Sequence, residues 1–146
     1  MENQRYTIEE LWQMFGGGLT IGPRTHRVSD EIRKVLVKTF TKMPKEIVDW
    51  ACQKLIFVSS CEDHYAFALL KDTSWGSCKG FVFISDYLLD LAEEEQTLAV
   101  AHEIAHMKLR HKSSVFNNLT RVETEKQEEK ANDLARKWLS RLEKKE

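Results

Sequence analysis

The chain has 146 residues, 42% of them apolar and 31% charged, and 22 Lys+Arg against 23 Asp+Glu leave a formal net charge of -1. This is the size and composition of a single globular domain, and it excludes a largely disordered chain and a generally basic nucleic-acid binder. No apolar run approaches the roughly 18–20 residues of a membrane span. The opening residues, MENQRYTIEE, lack the basic start and apolar core of a secretory leader, and the three cysteines, Cys52, Cys61 and Cys78, are an odd number. Both features point to reduced thiols and a cytoplasmic location.

Thr7-Ile8-Glu9-Glu10 is a capping box that opens a short helix through Leu11, Trp12 and Phe15. Gly16, Gly17 and Gly18 stop it; they lack the preceding strand and the spacing of a phosphate-binding loop, so residues 1–28 read as a helix and a glycine-rich breaker. Ser29 or Asp30 starts a second helix with Ile32, Val35, Leu36 and Phe40 on its apolar face. Pro44 suits the first turn of a third, which buries Ile47, Val48, Trp50 and Ala51. Seven Lys/Arg lie between Arg24 and Lys45, and Lys34, Lys38 and Lys42 share one helix face. That face is either solvated or a docking surface for an acidic partner.

Three strand-like segments follow. Leu55-Ile56-Phe57-Val58 is a short apolar run, His64 to Leu70 is aromatic and aliphatic, and Gly80-Phe81-Val82-Phe83-Ile84 is β-branched and aromatic. Asp72-Thr73-Ser74 and Gly76-Ser77 break the last two apart, and Tyr87-Leu88-Leu89 begins a short helical turn. Glu93-Glu94-Glu95 opens a long helix to about Arg110, with acids where the helix dipole favours them. Residues 112–119 form a polar loop. Thr120 and Glu123 are a second capping box, opening a last helix through Trp138 and Leu142. Helices, then consecutive strands, then two long helices imply an α+β domain over residues 1–146, with a sheet of three or slightly more strands in antiparallel or mixed order.

Within the fourth helix stands His102-Glu103-Ile104-Ala105-His106, an HExxH sequence. Four residues is just over one turn, so both imidazoles leave the same face and can converge on one zinc ion. Glu103 lies about 100° round the helix, where it can hold a metal-bound water without occupying the coordination sphere. Chance placement of the residues yields the triple in roughly one of fifty such sequences, so a third donor is needed to support it. The last helix supplies one. Its apolar stripe, Ala131, Leu134, Ala135, Trp138, Leu139 and Leu142, centres near Ala135 and Trp138. Glu128 lies about 50° from that centre and Glu129 about 150° away, so Glu128 extends the buried face and Glu129 meets solvent. An acid on a buried stripe needs a partner, and a cation is a good one; the other reading of Glu128 is a surface acid near a helix end. His111, five residues after His106, projects about 140° round the helix and falls off the ligand face. His26 and His64 read as surface or structural residues, and Cys78 as a structural thiol or a zinc-blocking one.

HEIAH followed one helix later by EEKANDLA resembles the gluzincin metallopeptidases, and the small size resembles the single-domain minigluzincins. HEIAHMKLRH is also similar to the catalytic core of the Ste-type and Oma-type proteases, EEKANDLA to ImmA/IrrE-type regulatory proteases, and Trp75-Gly76-Ser77-Cys78 to the segment preceding HExxH in WLM and YgjP-like proteins. The resemblance covers about residues 72–140. It implies one zinc ion held by His102, His106 and Glu128, Glu103 as catalytic base, and Asn132 orienting a ligand imidazole. It further implies that Phe81, Val82, Phe83 and Ile84 form an edge strand where an extended peptide or unfolded protein substrate adds on. Ala105 stands where many relatives have Gly, and no residue matches the family's second oxyanion donor, with Tyr65, Tyr87, His111 and Arg121 all open. The expected activity is hydrolysis of peptide bonds. The alternative is a zinc-containing regulatory or binding module with latent or partner-restricted proteolysis.

Overall fold

The computed structural model describes residues 5–16, 24–26, 29–60, 66–75, 78–111 and 119–143. Five α-helices occur there: α1 Ile8–Gly16, α2 Asp30–Thr41, α3 Lys45–Lys54, α4 Glu93–Lys108 and α5 Arg121–Glu143. Side chains near in sequence set most of their starts. Before α1, the Thr7 N–H donates to Glu10 Oε1 and the Glu10 N–H to Thr7 Oγ1, both at 3.1 Å. Thr120 and Glu123 repeat this reciprocal closure at α5, with 3.4 and 3.1 Å. Ser29 Oγ accepts from the Ile32 N–H at 3.2 Å and caps α2. Each satisfies backbone donors that the first helical turn leaves unpaired. Pro44 sits one place before α3, not inside its first turn. Asp86–Asp90 forms a 3-10 turn, where Ser85 Oγ accepts from the Tyr87 N–H at 3.2 Å.

The sheet is mixed and has four described strands: β1 Arg24–His26, β2 Leu55–Ser60, β3 Ala66–Trp75 and β4 Cys78–Ser85, in the order β1-β2-β4-β3. β1 and β2 are parallel, β2 and β4 are parallel, and β3 and β4 are antiparallel. Sequence patterning misses β1, since Arg24-Thr25-His26 carries no apolar signal and pairs through its backbone, His26 opposite Val58. The expected break at Asp72-Thr73-Ser74 is absent. β3 continues through those polar residues to Trp75, which pairs with Cys78, and a register shift between Leu70 and Trp75 absorbs the irregularity. A further correction concerns Phe81, Val82, Phe83 and Ile84. They lie in β4, which is hydrogen-bonded to β2 on one side and β3 on the other, so this strand has no free edge for a peptide. β1 and β3 hold the outer positions. Gly17, Gly18, Cys61, His64, Tyr65, Gly76, Ser77 and the loop 112–118 lie outside the described residues.

The strands alternate as the pleat requires. Leu55, Phe57, Val82 and Ile84 are fully buried, while Ile56, Val58, Phe81 and Phe83 on the opposite face are half-buried. Phe57 meets Phe40 of α2 edge-on, ring centroids 5.8 Å apart at 66°, a geometry aromatic quadrupoles favour. Leu11, Ile32, Leu36, Val48, Leu88, Val100 and Ile104 complete a single core that all five helices enter. α4 packs on α2, on β3 and β4, and along α5. The buried positions of α5 are Ala131, Ala135 and Trp138, and α4 buries Ala101 and Ala105. Short side chains at such positions let two helix backbones approach closely. None of the described helices is long and apolar enough to cross a membrane. Of the basic face on α2, Lys38 and Lys42 reach Glu93 of α4 at 3.4 and 4.0 Å. These contacts are exposed, and each is worth at most about 1 kcal/mol.

Candidate metal centre

The site is built by the close pairing of α4 and α5. His102 and His106 stand one turn apart, with rings edge to face, centroids 4.5 Å apart at 88° and Nε2 atoms separated by 3.0 Å. From α5, Glu128 reaches across both: Oε2 is 2.8 Å from His102 Nε2 and Oε1 is 3.2 Å from His106 Nε2. The three donor atoms lie within 4.8 Å of one another. A tetrahedral zinc ion with bonds near 2.0–2.1 Å sets its ligands roughly 3.3 Å apart, so two neutral imidazoles and a carboxylate at these separations fit such an ion without rearrangement of the backbone. The Glu128 side chain is half exposed (52%), whereas those of His102 and Glu103 are 13% and 12% exposed, so the cluster lies at the rim of the core and opens to solvent on the α5 side. Glu129, next along the helix, is exposed.

Electrostatics follow from that placement. The two imidazoles hold the Glu128 carboxyl far below the usual carboxylate range, chiefly through their hydrogen bonds. Burial opposes charge on His102, but the hydrogen bond it donates to Glu128 and the charges of Glu103 and Glu128 outweigh it and raise the imidazole's pKa. Glu103 lies 3.9 Å from His102 Nε2. Burial pushes its carboxyl up to about 8, His102 pulls it back, and the Glu128 charge adds to the rise.

Asn132 sits one turn after Glu128 on α5, acts on the His102 ring and favours its charged form. The ring's Nδ1 is buried and makes no hydrogen bond of its own. Among the residues left open as a second oxyanion donor, Tyr87 is exposed on the 3-10 turn and Arg121 is engaged with Glu125 at 3.1 Å.

His111 stays out of the donor cluster, as its spacing implies, but it lies against His106 and does not project away from it. Its Nδ1 is 2.9 Å from His106 Nδ1, on the far side of that ring from the donor cluster. The 140° projection assumed an unbroken helix, but α4 ends at Lys108 and the chain turns back. Arg110 adopts a left-handed φ of 58°, its N–H donates to Met107 O at 3.1 Å and the His111 N–H to His106 O at 3.0 Å. This is a Schellman closure with arginine where glycine is usual, so no glycine marks the stop in the sequence. Burial, His106 and Lys130 together lower the pKa of His111.

Two imidazoles on one helix and a carboxylate from the next form a possible metal site, with a buried acid beside it. The model of peptidase family M48 matches residues 23–136, and the chain belongs to that family of metallopeptidases. Neither the curated proteins nor the solved structures yield a match.

Proposed function

We propose that this protein is a zinc-dependent peptidase of the gluzincin type, with His102, His106 and Glu128 as zinc ligands and Glu103 as general base and acid. The observation that carries this reading is the arrival of the Glu128 carboxylate at both imidazoles from a helix 26 and 22 residues further along the chain. Bound there, zinc supplies Lewis acidity that brings the pKa of water to about 7 and polarises a carbonyl. Glu103 takes the proton of the attacking water and hands it to the departing amine. Burial raises its carboxyl to about 8 without metal, and positive charge at the donor atoms would return it to the carboxylate that accepts. Asn132 orients His102. A reducing, cytoplasmic setting belongs to the same reading, supported by the free, buried thiol of Cys52.

The substrate in this proposal is an extended peptide or unfolded segment. With β4 enclosed, the strand to receive it is β3, which among the described strands is paired on one side only and which packs against α4. An added strand would be held by main-chain hydrogen bonds, which suit any sequence able to extend. Glu103→Gln tests the assignment: zinc content should stay at one ion per chain while cleavage of an unstructured protein falls at least about a hundred-fold. Unchanged turnover rejects the role given to Glu103.

A further inference from the structure

The contact between His106 and His111 lies outside the donor cluster, and none of the roles assigned above uses it. For His106 to present the lone pair of Nε2 to a cation, the neutral ring must carry its proton on Nδ1. That nitrogen faces His111 Nδ1 at 2.9 Å. A ring that accepts there must itself be protonated on Nε2, so the geometry selects one tautomer for each histidine. The rings stand 5.1 Å apart at 65°, edge towards face, and so restrict each other's rotation. Backbone supports the placement: the His111 N–H is bonded to the carbonyl of His106 itself, and Arg110 takes the left-handed conformation that makes the reversal. A non-glycine residue is held there against its intrinsic preference, so the turn is determined by its surroundings.

We propose that His111 is a positioning residue: it accepts the Nδ1–H of His106 and fixes that ring with Nε2 turned to the donor cluster. The inference rests on His106 being a metal ligand. Outer partners of ligating imidazoles commonly alter metal affinity 10–100-fold. His111→Phe keeps an aromatic ring against His106 and removes the acceptor. His111→Asn puts an amide oxygen near the place of Nδ1 and restores it.

The test uses the full chain stripped of metal, zinc affinity by chelator competition and the visible absorption of the cobalt(II)-loaded protein, with thermal melting of the metal-free form alongside. The expected result is zinc binding weakened about 10–100-fold in His111→Phe, with altered cobalt bands, most of the affinity regained in His111→Asn, and metal-free melting alike in all three. Wild-type affinity and spectrum in His111→Phe, or an Asn variant no better than the Phe variant, overturns the proposal. A further control separates the two readings: if His106→Ala binds zinc as tightly as wild type, the ligand assignment itself has failed, and the proposal with it.

Discussion

Replacing Glu128 by Gln removes one charge and leaves the helix length, the side-chain volume and the packing of Ala131, Ala135 and Trp138 unchanged. In the metal-free protein the loss is small. The carboxylate is half exposed, so its bonds to His102 and His106 are screened and contribute about 1 kcal/mol. With zinc the effect is much larger. A ligand at a hundred times its dissociation constant stabilises the native state by about 2.7 kcal/mol. For a chain of this length that raises the melting midpoint by about 5–10 °C, at about 2–4 °C per kcal/mol. If loss of the anionic donor weakens zinc about a hundred-fold, the same zinc concentration stands at one dissociation constant and contributes about 0.4 kcal/mol, or about 1 °C. Thermal melting of wild type, Glu128→Gln and Glu129→Gln, each with zinc and with chelator, measures this. Glu129 is exposed on the same turn, so its variant should shift like wild type. A full zinc shift in Glu128→Gln, or its loss in Glu129→Gln, would refute the ligand geometry.

Two further outcomes follow from the same structure. Glu103 is an acid whose native pKa is raised to about 8, so the folded metal-free protein holds its proton more tightly than the unfolded chain does. The contribution of Glu103 should therefore be lost as pH rises from about 5 to about 8, by up to about 1.4 kcal/mol per unit; the raised pKa of His102 acts in the same direction at higher pH, and the lowered pKa of His111 acts in the opposite one below about 6.5. Urea unfolding of chelator-treated protein at several pH values should show this slope, and a Glu103→Gln variant with the same slope would contradict it. Arg110→Gly relieves the positive φ at the end of α4 but loosens the unfolded chain; the net gain should be roughly 0.5 kcal/mol in the same assay, and a loss would show that the arginine side chain supports the turn.

The readable parts of the fold are those whose causes are close in sequence. Thr7 with Glu10 and Thr120 with Glu123 announce two helix starts, and those bonds form. Periodicity in the last helix separates Glu128 from Glu129, and only Glu128 reaches the imidazoles. Misreadings have equally specific causes. Arg24-Thr25-His26 is a strand because β2 offers it a backbone partner, not because of its side chains. β4 looks as suitable for an edge as for an interior position, since β-branched and aromatic residues occupy both. His111 lies beyond the end of α4, where helical spacing no longer sets its direction.

Within a helix the HExxH spacing alone places His102 and His106 on one side with Glu103 beside them, since backbone dihedrals and the i→i−4 hydrogen bond fix 3.6 residues per turn. The distance from Glu128 to those rings, the exclusion of β4 from the sheet edge and the meeting of His111 with His106 depend on contacts between segments far apart in the chain or on a turn that no residue type marks. Such pairings are settled when buried surfaces and backbone hydrogen bonds are satisfied together, and that balance belongs to the whole fold.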